Sequence, residues 1–189
     1  MTEMTAEQAA WMRDFYLRPL KLESATTLKV ITAVPAEAWD YRPDANSRTA
    51  LDLLRHIAAT DNRFIETVVN GVFSTDNVIP ESARTPVEIG AWYGERHAAN
   101  RDRLARVPST DLVKPVDFRG MFTWPAVMFL QLGLHHTIHH RGQLSAYLRA
   151  MGAKVPSIYG ESYDAAQARL AQQAKKDASN GDRGAHSEA

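Results

Sequence analysis

Apolar residues return at helical spacing in four long stretches of the chain. The first predicts a helix from about Thr5 to Val34. Thr5 and Gln8 have the spacing of a capping box, in which each side chain satisfies a free backbone N–H at the helix start. Leu17, Leu20, Ser24, Leu28 and Ile31 follow along it. Pro19 is expected to kink or break this helix, because proline has no N–H and crowds the preceding turn. Pro35 and Pro43 then mark a loop. The second helix is predicted from Ser47 or Thr49 to Asn70, with Leu53, Ile57, Thr60, Phe64 and Val68 in one stripe and Gly71 as its stop. The third opens at Thr85-Pro86-Val87-Glu88, a cap residue, a proline at the first helical position and a capping glutamate. It ends near Val107-Pro108, and its apolar face of Ile89, Tyr93 and Leu104 is thin. The fourth is predicted from Trp124-Pro125 to Gly152, a glycine stop.

Between the last two helices, residues 108–123 read as a longer connection with room for short extended pieces. Val155 to Gly160 reads as an ordered turn, and a short helix is expected after Tyr163. The small, polar stretch from Ser179 to Ala189 is expected to be disordered. The pattern as a whole predicts an all-α fold, a four-helix bundle. The bundle would occupy residues 1–165 as a single domain, followed over 166–189 by a short helical extension and a polar tail. Connections of about 14 residues are longer than hairpin loops, so at least one is expected to cross the bundle.

Composition narrows the function classes. A chain of 189 residues with 44% hydrophobic and 23% charged positions is large enough to bury a core without staples. No apolar run approaches the roughly 18 to 20 residues that span a bilayer. The start, MTEMTAEQAAWMRDFY, lacks the basic segment and apolar run of a signal peptide. A cytoplasmic protein with no membrane partner is expected. There is no cysteine, which removes disulfides, thiolate nucleophiles and cysteine metal sites together. Lys plus Arg and Asp plus Glu are 22 each. That balance offers no net positive charge for nucleic-acid phosphates, so nucleic acid is not an expected partner.

The chemistry concentrates in histidine. Of seven histidines, four fall within six residues, His135, His136, His139 and His140, all inside the fourth predicted helix. Residues four apart on a helix lie about 40° apart on its surface and one turn apart along it, so either i, i+4 pair can reach one ion. Phe129, Leu132 and Tyr147 fall within about 40° of His136, and His140 shares that face. His139 lies about 60° to one side and His135 about 100°. The pair facing the core is therefore His136 and His140. Two ligands make a weak site, and His56, flanking the apolar stripe of the second helix, is the candidate third. Three imidazoles from two helices leave coordination positions open, as catalytic sites do. His97 reads as a hydrogen-bonded core residue and His186 as an idle tail residue. The competing reading of the cluster is a solvated surface patch.

The string His136-Thr137-Ile138-His139-His140-Arg141-Gly142-Gln143-Leu144 resembles the signature of the DinB-like (DinB/YfiT) metal-binding bundle family. Tyr147-Leu148-Arg149, Gly152, the Val155 to Gly160 turn, Tyr41-Arg42-Pro43 and the Ser47 to His56 segment extend the likeness, which covers about Asp14 to Asp164. The resemblance implies four helices with a crossover connection, and often a homodimer. It implies three metal histidines matching His56, His136 and His140. Some members are thiol-dependent transferases or isomerases that use a low-molecular-weight thiol, and many have no established activity. The family name comes from induction by DNA damage.

An open histidine site would hold zinc or nickel first, with iron as a further candidate; magnesium and calcium prefer oxygen ligands. Such an ion lowers the pKa of a bound water or thiol and polarises a substrate oxygen. The sequence thus points to a metal-dependent transferase, isomerase or hydrolase acting on a small molecule, with any thiol supplied from outside. The alternative is a non-catalytic, damage-inducible metal-binding protein, whose site a fourth side chain, His139 or Asp52, would close. Asp52, Thr60 and Gln143 are candidates to orient the ligand imidazoles, and Asp52 and Gln143 to act in catalysis. Their plainer readings are a salt bridge or helix cap for Asp52 and a buried amide for Gln143. Arg141 lies about 140° from the ligand face and reads as structural or as a subunit contact.

Overall fold

The computed structural model describes residues 4–76 and 79–185, the stretch 178–185 as backbone only. Its elements are α1 (Ala6–Thr32), a 3-10 turn (Ala36–Ala38), α2 (Ala50–Asn70), α3 (Pro86–Leu104), α4 (Ser109–Leu112), β1 (Pro115–Asp117), β2 (Thr123–Pro125), α5 (Met128–Ala150) and α6 (Tyr163–Ala185). The helix starts are made by the side chains that predict them. Thr5 accepts the Gln8 N–H while Gln8 accepts the Thr5 N–H, and Thr85 and Glu88 form the same box ahead of α3. Thr49 accepts the Asp52 N–H at the start of α2. Gly71 ends α2 with φ of 69°, a left-handed backbone that glycine adopts without steric cost.

Four long helices pack as a ring in which α1 and α2 each touch α3 and α5. Chain directions follow from which residues meet. Along α2 and α3, Asp61 bonds Tyr93, Asn62 bonds Asn100 and Asn70 bonds Arg103, so these two helices are parallel. Gly90 sits against Leu28 and Thr32 and Arg13 donates to the Val107 carbonyl, so α1 opposes α3. His56 meets His140 and Phe64 meets Gly133, so α5 opposes α2. Parallel α2 and α3 need a connection that returns the length of the bundle. The described residues 71–76 and 79–85 belong to it: Arg55, near the start of α2, donates to the Ala83 carbonyl, and Ile79 and Ala83 join the core around that half of α2. The result is an all-α four-helix bundle with the expected crossover connection.

The core has two centres. One gathers Val30, Ile31, Leu53, Leu54, Ile57, Ile89, Tyr93, Leu144 and Leu148. The other gathers Leu20, Phe64, Ile65, Leu104, Leu112, Val116, Phe129 and Leu130. Burying each large apolar side chain contributes about 1.5–3 kcal/mol relative to exposure, so apolar packing supplies the main driving force. The stripe of α3 is thin in apolar residues because His97 and Asn100 complete it, both buried. Among the described residues, no helix is long and apolar enough to cross a membrane.

Three details depart from the sequence reading. Pro19 does not break α1, which runs unbroken to Thr32; buried Ala9 and Leu20 hold the half around the proline, and Val30 and Ile31 hold the other. Trp124 and Pro125 do not open the fourth helix but pair with Val116 and Pro115 in a small antiparallel hairpin, and α5 starts at Met128. The final helix is not short: α6 runs 23 residues to Ala185, through Ser179 and its neighbours, where the polar composition predicts disorder. Its alanines, glutamines and lysines are strong helix formers. Residues 186–189, including His186, lie outside the described residues.

Candidate metal centre

Packing of α2 against α5 brings His56, His136 and His140 together. One nitrogen of each ring lies within 4.8 Å of the others, and the group has these three members among the described residues. His56 Nε2 is 3.1 Å from His136 Nε2. The rings of His56 and His140 are 4.7 Å apart, and those of His136 and His140 4.4 Å. Three residues of the histidine-rich sequence thus converge on one point, and two do not: His135 and His139 are exposed on other faces of α5. The surface-patch reading fails for the converging set, whose members are all half-buried.

The imidazoles are held in the form that binds metals. Burial pushes His136 down to about 3, helped by the nearby charges of His140 and His56. Burial pushes His56 down to about 4, helped by the Arg48 charge. His140 is also lowered by burial, although its hydrogen bond to Gln143 acts the other way. Neutral imidazole offers a lone pair, which is what a cation needs. His140 Nδ1 donates to Gln143 Oε1 at 2.6 Å, leaving Nε2 as the free acceptor. His56 Nδ1 faces the Thr60 hydroxyl at a longer 3.4 Å, leaving its Nε2 toward the cluster. His136 Nδ1 is buried without a partner. The residues present therefore fit a transition-metal ion: three neutral nitrogen donors, and ring nitrogens on two of them turned to neighbouring side chains, as ligand histidines require.

The other sequence candidates fall as follows. Gln143 reaches the His140 imidazole, but it is exposed, not a buried amide. Asp52 lies in the first turn of α2, its carboxylate accepting the hydroxyl of the capping Thr49 at 2.7 Å, and it stands outside the histidine group. Arg141 is structural. It is 1% exposed, 2.6 Å from the Glu23 carboxylate, and it donates to Thr27 and Tyr159, tying α1 to the turn after α5. His97 is buried as read, but neither ring nitrogen has a hydrogen-bond partner; its Nε2 lies 3.5 Å from Asp61.

Two surroundings of the centre were not legible. Phe64 packs on His136 with ring centroids 5.6 Å apart, and Phe73, Phe118, Phe122 and Phe129 extend from it as an aromatic cluster. A cavity of about 410 Å³ opens beside His56, lined also by Arg48, Asp52, Arg55, Ala59 and Ile79. The four-residue spacing of Asp52 and His56 on α2 was the available signal for part of that wall; Arg48 precedes the helix.

Bundle, crossover and histidine cluster together define a class, and comparison with known proteins gives it its name. Residues 12–176 match the model of the DinB family, and the chain belongs to that family. It is 26% identical over 129 residues to YjoA of Bacillus subtilis (strain 168), an uncharacterized protein, covering 67% of this chain and 82% of that one. Among solved structures it is similar to the DinB-like protein YjoA from Bacillus subtilis, with a TM-score of 0.65 at 22% identity over 78% of this chain and 99% of the other. It is also similar to a DinB-like protein from Bacillus cereus ATCC 10987, with a TM-score of 0.63 at 24% identity over 76% and 95%. At these identities the two structures bear on the fold alone.

Proposed function

We propose that His56, His136 and His140 hold one divalent transition ion, zinc or nickel before iron, and that the protein is a metal-dependent enzyme acting on a small molecule. The observation that carries this reading is the open geometry: three neutral nitrogen donors, no fourth side chain in the group among the described residues, and a cavity beside His56. Structural zinc sites use four protein ligands, catalytic ones three. When bound, the ion would lower the pKa of a thiol or water and polarise an electrophile. Gln143 orients one ligand, Phe64 shields another from solvent, and the neutral imidazoles leave the ion its full charge. With no cysteine in the chain, a thiol nucleophile would be a low-molecular-weight cosubstrate, giving a transferase or isomerase; water would give a hydrolase. A homodimer belongs to the same reading. Trp11, Phe15 and Leu22 are exposed on α1 at 69%, 55% and 57%, an apolar surface that a second subunit would cover, and light scattering at micromolar concentration would detect it.

The test begins with elemental analysis. Purified protein should carry about one transition ion per chain, and His136→Ala or His140→Ala should lose it while His139→Ala keeps it. Full occupancy in His140→Ala would remove the assignment. The loaded protein is then screened with electrophiles and several small thiols, and with esters and amides in water. Activity should require the ion and disappear in His56→Ala. No turnover, together with a coordination sphere closed by a fourth side chain, would favour the non-catalytic metal-binding protein.

A further inference from the structure

We infer that the ligand of this centre carries an anionic group, and that Arg48, with Arg55, is the subsite that receives it. Both arginines line the cavity that reaches His56. Arg55 commits Nη1 to the Ala83 carbonyl, 3.0 Å away, which fixes its charge in the wall. Arg48 is exposed and makes no hydrogen bond or ion pair with any described residue. The one acidic residue in that wall, Asp52, accepts the Thr49 hydroxyl and does not pair with either arginine at 4 Å or less. Two guanidinium groups against one carboxylate leave the cavity net positive even before an ion is added.

That excess is unfavourable in the free protein. The charge of Arg48 acts on His56, His136 and His140 alike, and a divalent ion at the histidines would be repelled by it. A cation wall next to a cation site gains stability only when an anion lies between them, and the guanidinium fork matches carboxylate, sulfonate or phosphate oxygens. The ligand class is therefore a small molecule with a metal-seeking atom at one end and an acidic group at the other.

This rests on the open-site reading above, and one titration separates the two. The full-length protein is loaded with cobalt(II), whose absorption spectrum reports thiolate coordination, and titrated with 2-mercaptoethanesulfonate and with 2-mercaptoethanol. The sulfonate is a poor metal ligand, so any preference for the first thiol reports on the protein. The expected result is about fivefold tighter binding of the sulfonated thiol, the order that one partly solvated charge pair supplies. The preference should shrink in high salt, vanish in Arg48→Ala and return in part in Arg48→Lys, with affinity for 2-mercaptoethanol no lower in either variant. Equal affinities in the native chain, or a preference that survives Arg48→Ala, would overturn the inference and leave the open site standing. Cobalt bound without response to either thiol would overturn the open site itself, and the inference with it.

Discussion

Gln143 Oε1 accepts a hydrogen bond from His140 Nδ1 at 2.6 Å, and this contact decides which nitrogen of His140 is free. A proton held on Nδ1 puts the lone pair on Nε2, the side from which His56 and His136 approach. Partners of this kind change metal affinity by about 10–100-fold when removed. Because Gln143 is exposed and water can replace part of its role, Gln143→Ala is expected at the lower end, about tenfold weaker. Gln143→Glu keeps an acceptor and should retain affinity. Competition with a chromogenic chelator measures both, and unchanged affinity in the alanine variant would mean that the contact does not orient the ring.

Removing the ion should weaken the fold without dissolving it. A ligand bound only by the folded state stabilises it by about 2.7 kcal/mol at a hundredfold excess over Kd. For a chain of this size that corresponds to about 5–10 °C in Tm. The two core centres are apolar and do not include the three histidines, so chelated protein should keep its helical circular dichroism at 25 °C. Collapse of that signal on chelation would make the ion a folding nucleus.

The fold was legible where one residue decides one local event. Thr5, Thr49, Thr85 and Gly71 each do so, and each acts where the pattern places it. The histidine cluster was legible for a related reason: helical geometry fixes which of four neighbouring histidines share a face, and His136 and His140 of that face meet His56. The pattern failed where tertiary packing outweighs local preference. Pro19 costs α1 one backbone bond, but core contacts on both sides of it keep the helix continuous. The stripe of α3 looked weak because His97 and Asn100 stand in it, and polarity in sequence does not reveal burial. The cavity wall was least legible: Arg48 precedes α2, Arg55 lies near its start, and the two meet in one wall only where the chain returning through Ile79 and Ala83 packs on α2.

His97 supplies a pH dependence of its own. Burial holds its pKa below the ordinary 6.5, against the opposing charge of Asp61. In the unfolded chain the same imidazole takes up a proton as pH falls through about 6.5. Below that pH the unfolded state binds more protons than the folded one, so this contribution to stability is complete above about 6.5 and is lost as pH falls. His56, His136 and His140 shift in the same direction, so the effects add. In chelated protein, stability should therefore decline from pH 7 to pH 5, and the decline should be shallower in His97→Gln. Parallel urea-unfolding curves for the two proteins across that range would refute the assignment to His97.

Gly133 sets the distance between the two helices that carry the three clustered histidines. A Cβ built there would lie 2.5 Å from Phe64 Cβ, an atom fixed by the α2 backbone that no rotamer change can move. On propensity alone, alanine should stabilise a helix by up to about 1 kcal/mol over glycine. Overpacking of a tight core contact costs about 1–3 kcal/mol, and here it acts at the α2–α5 contact, so the steric effect should win. Gly142 on the same helix is the control: a Cβ there meets nothing within 4 Å, and Gly142→Ala should be neutral or slightly stabilising. Gly133→Ala should lower Tm and also weaken metal binding, because forcing α2 from α5 moves His56 away from His136 and His140. Thermal melts with and without the ion separate the two effects. If Gly133→Ala loses stability but binds metal as tightly as the native chain, the helix spacing is not what assembles the site.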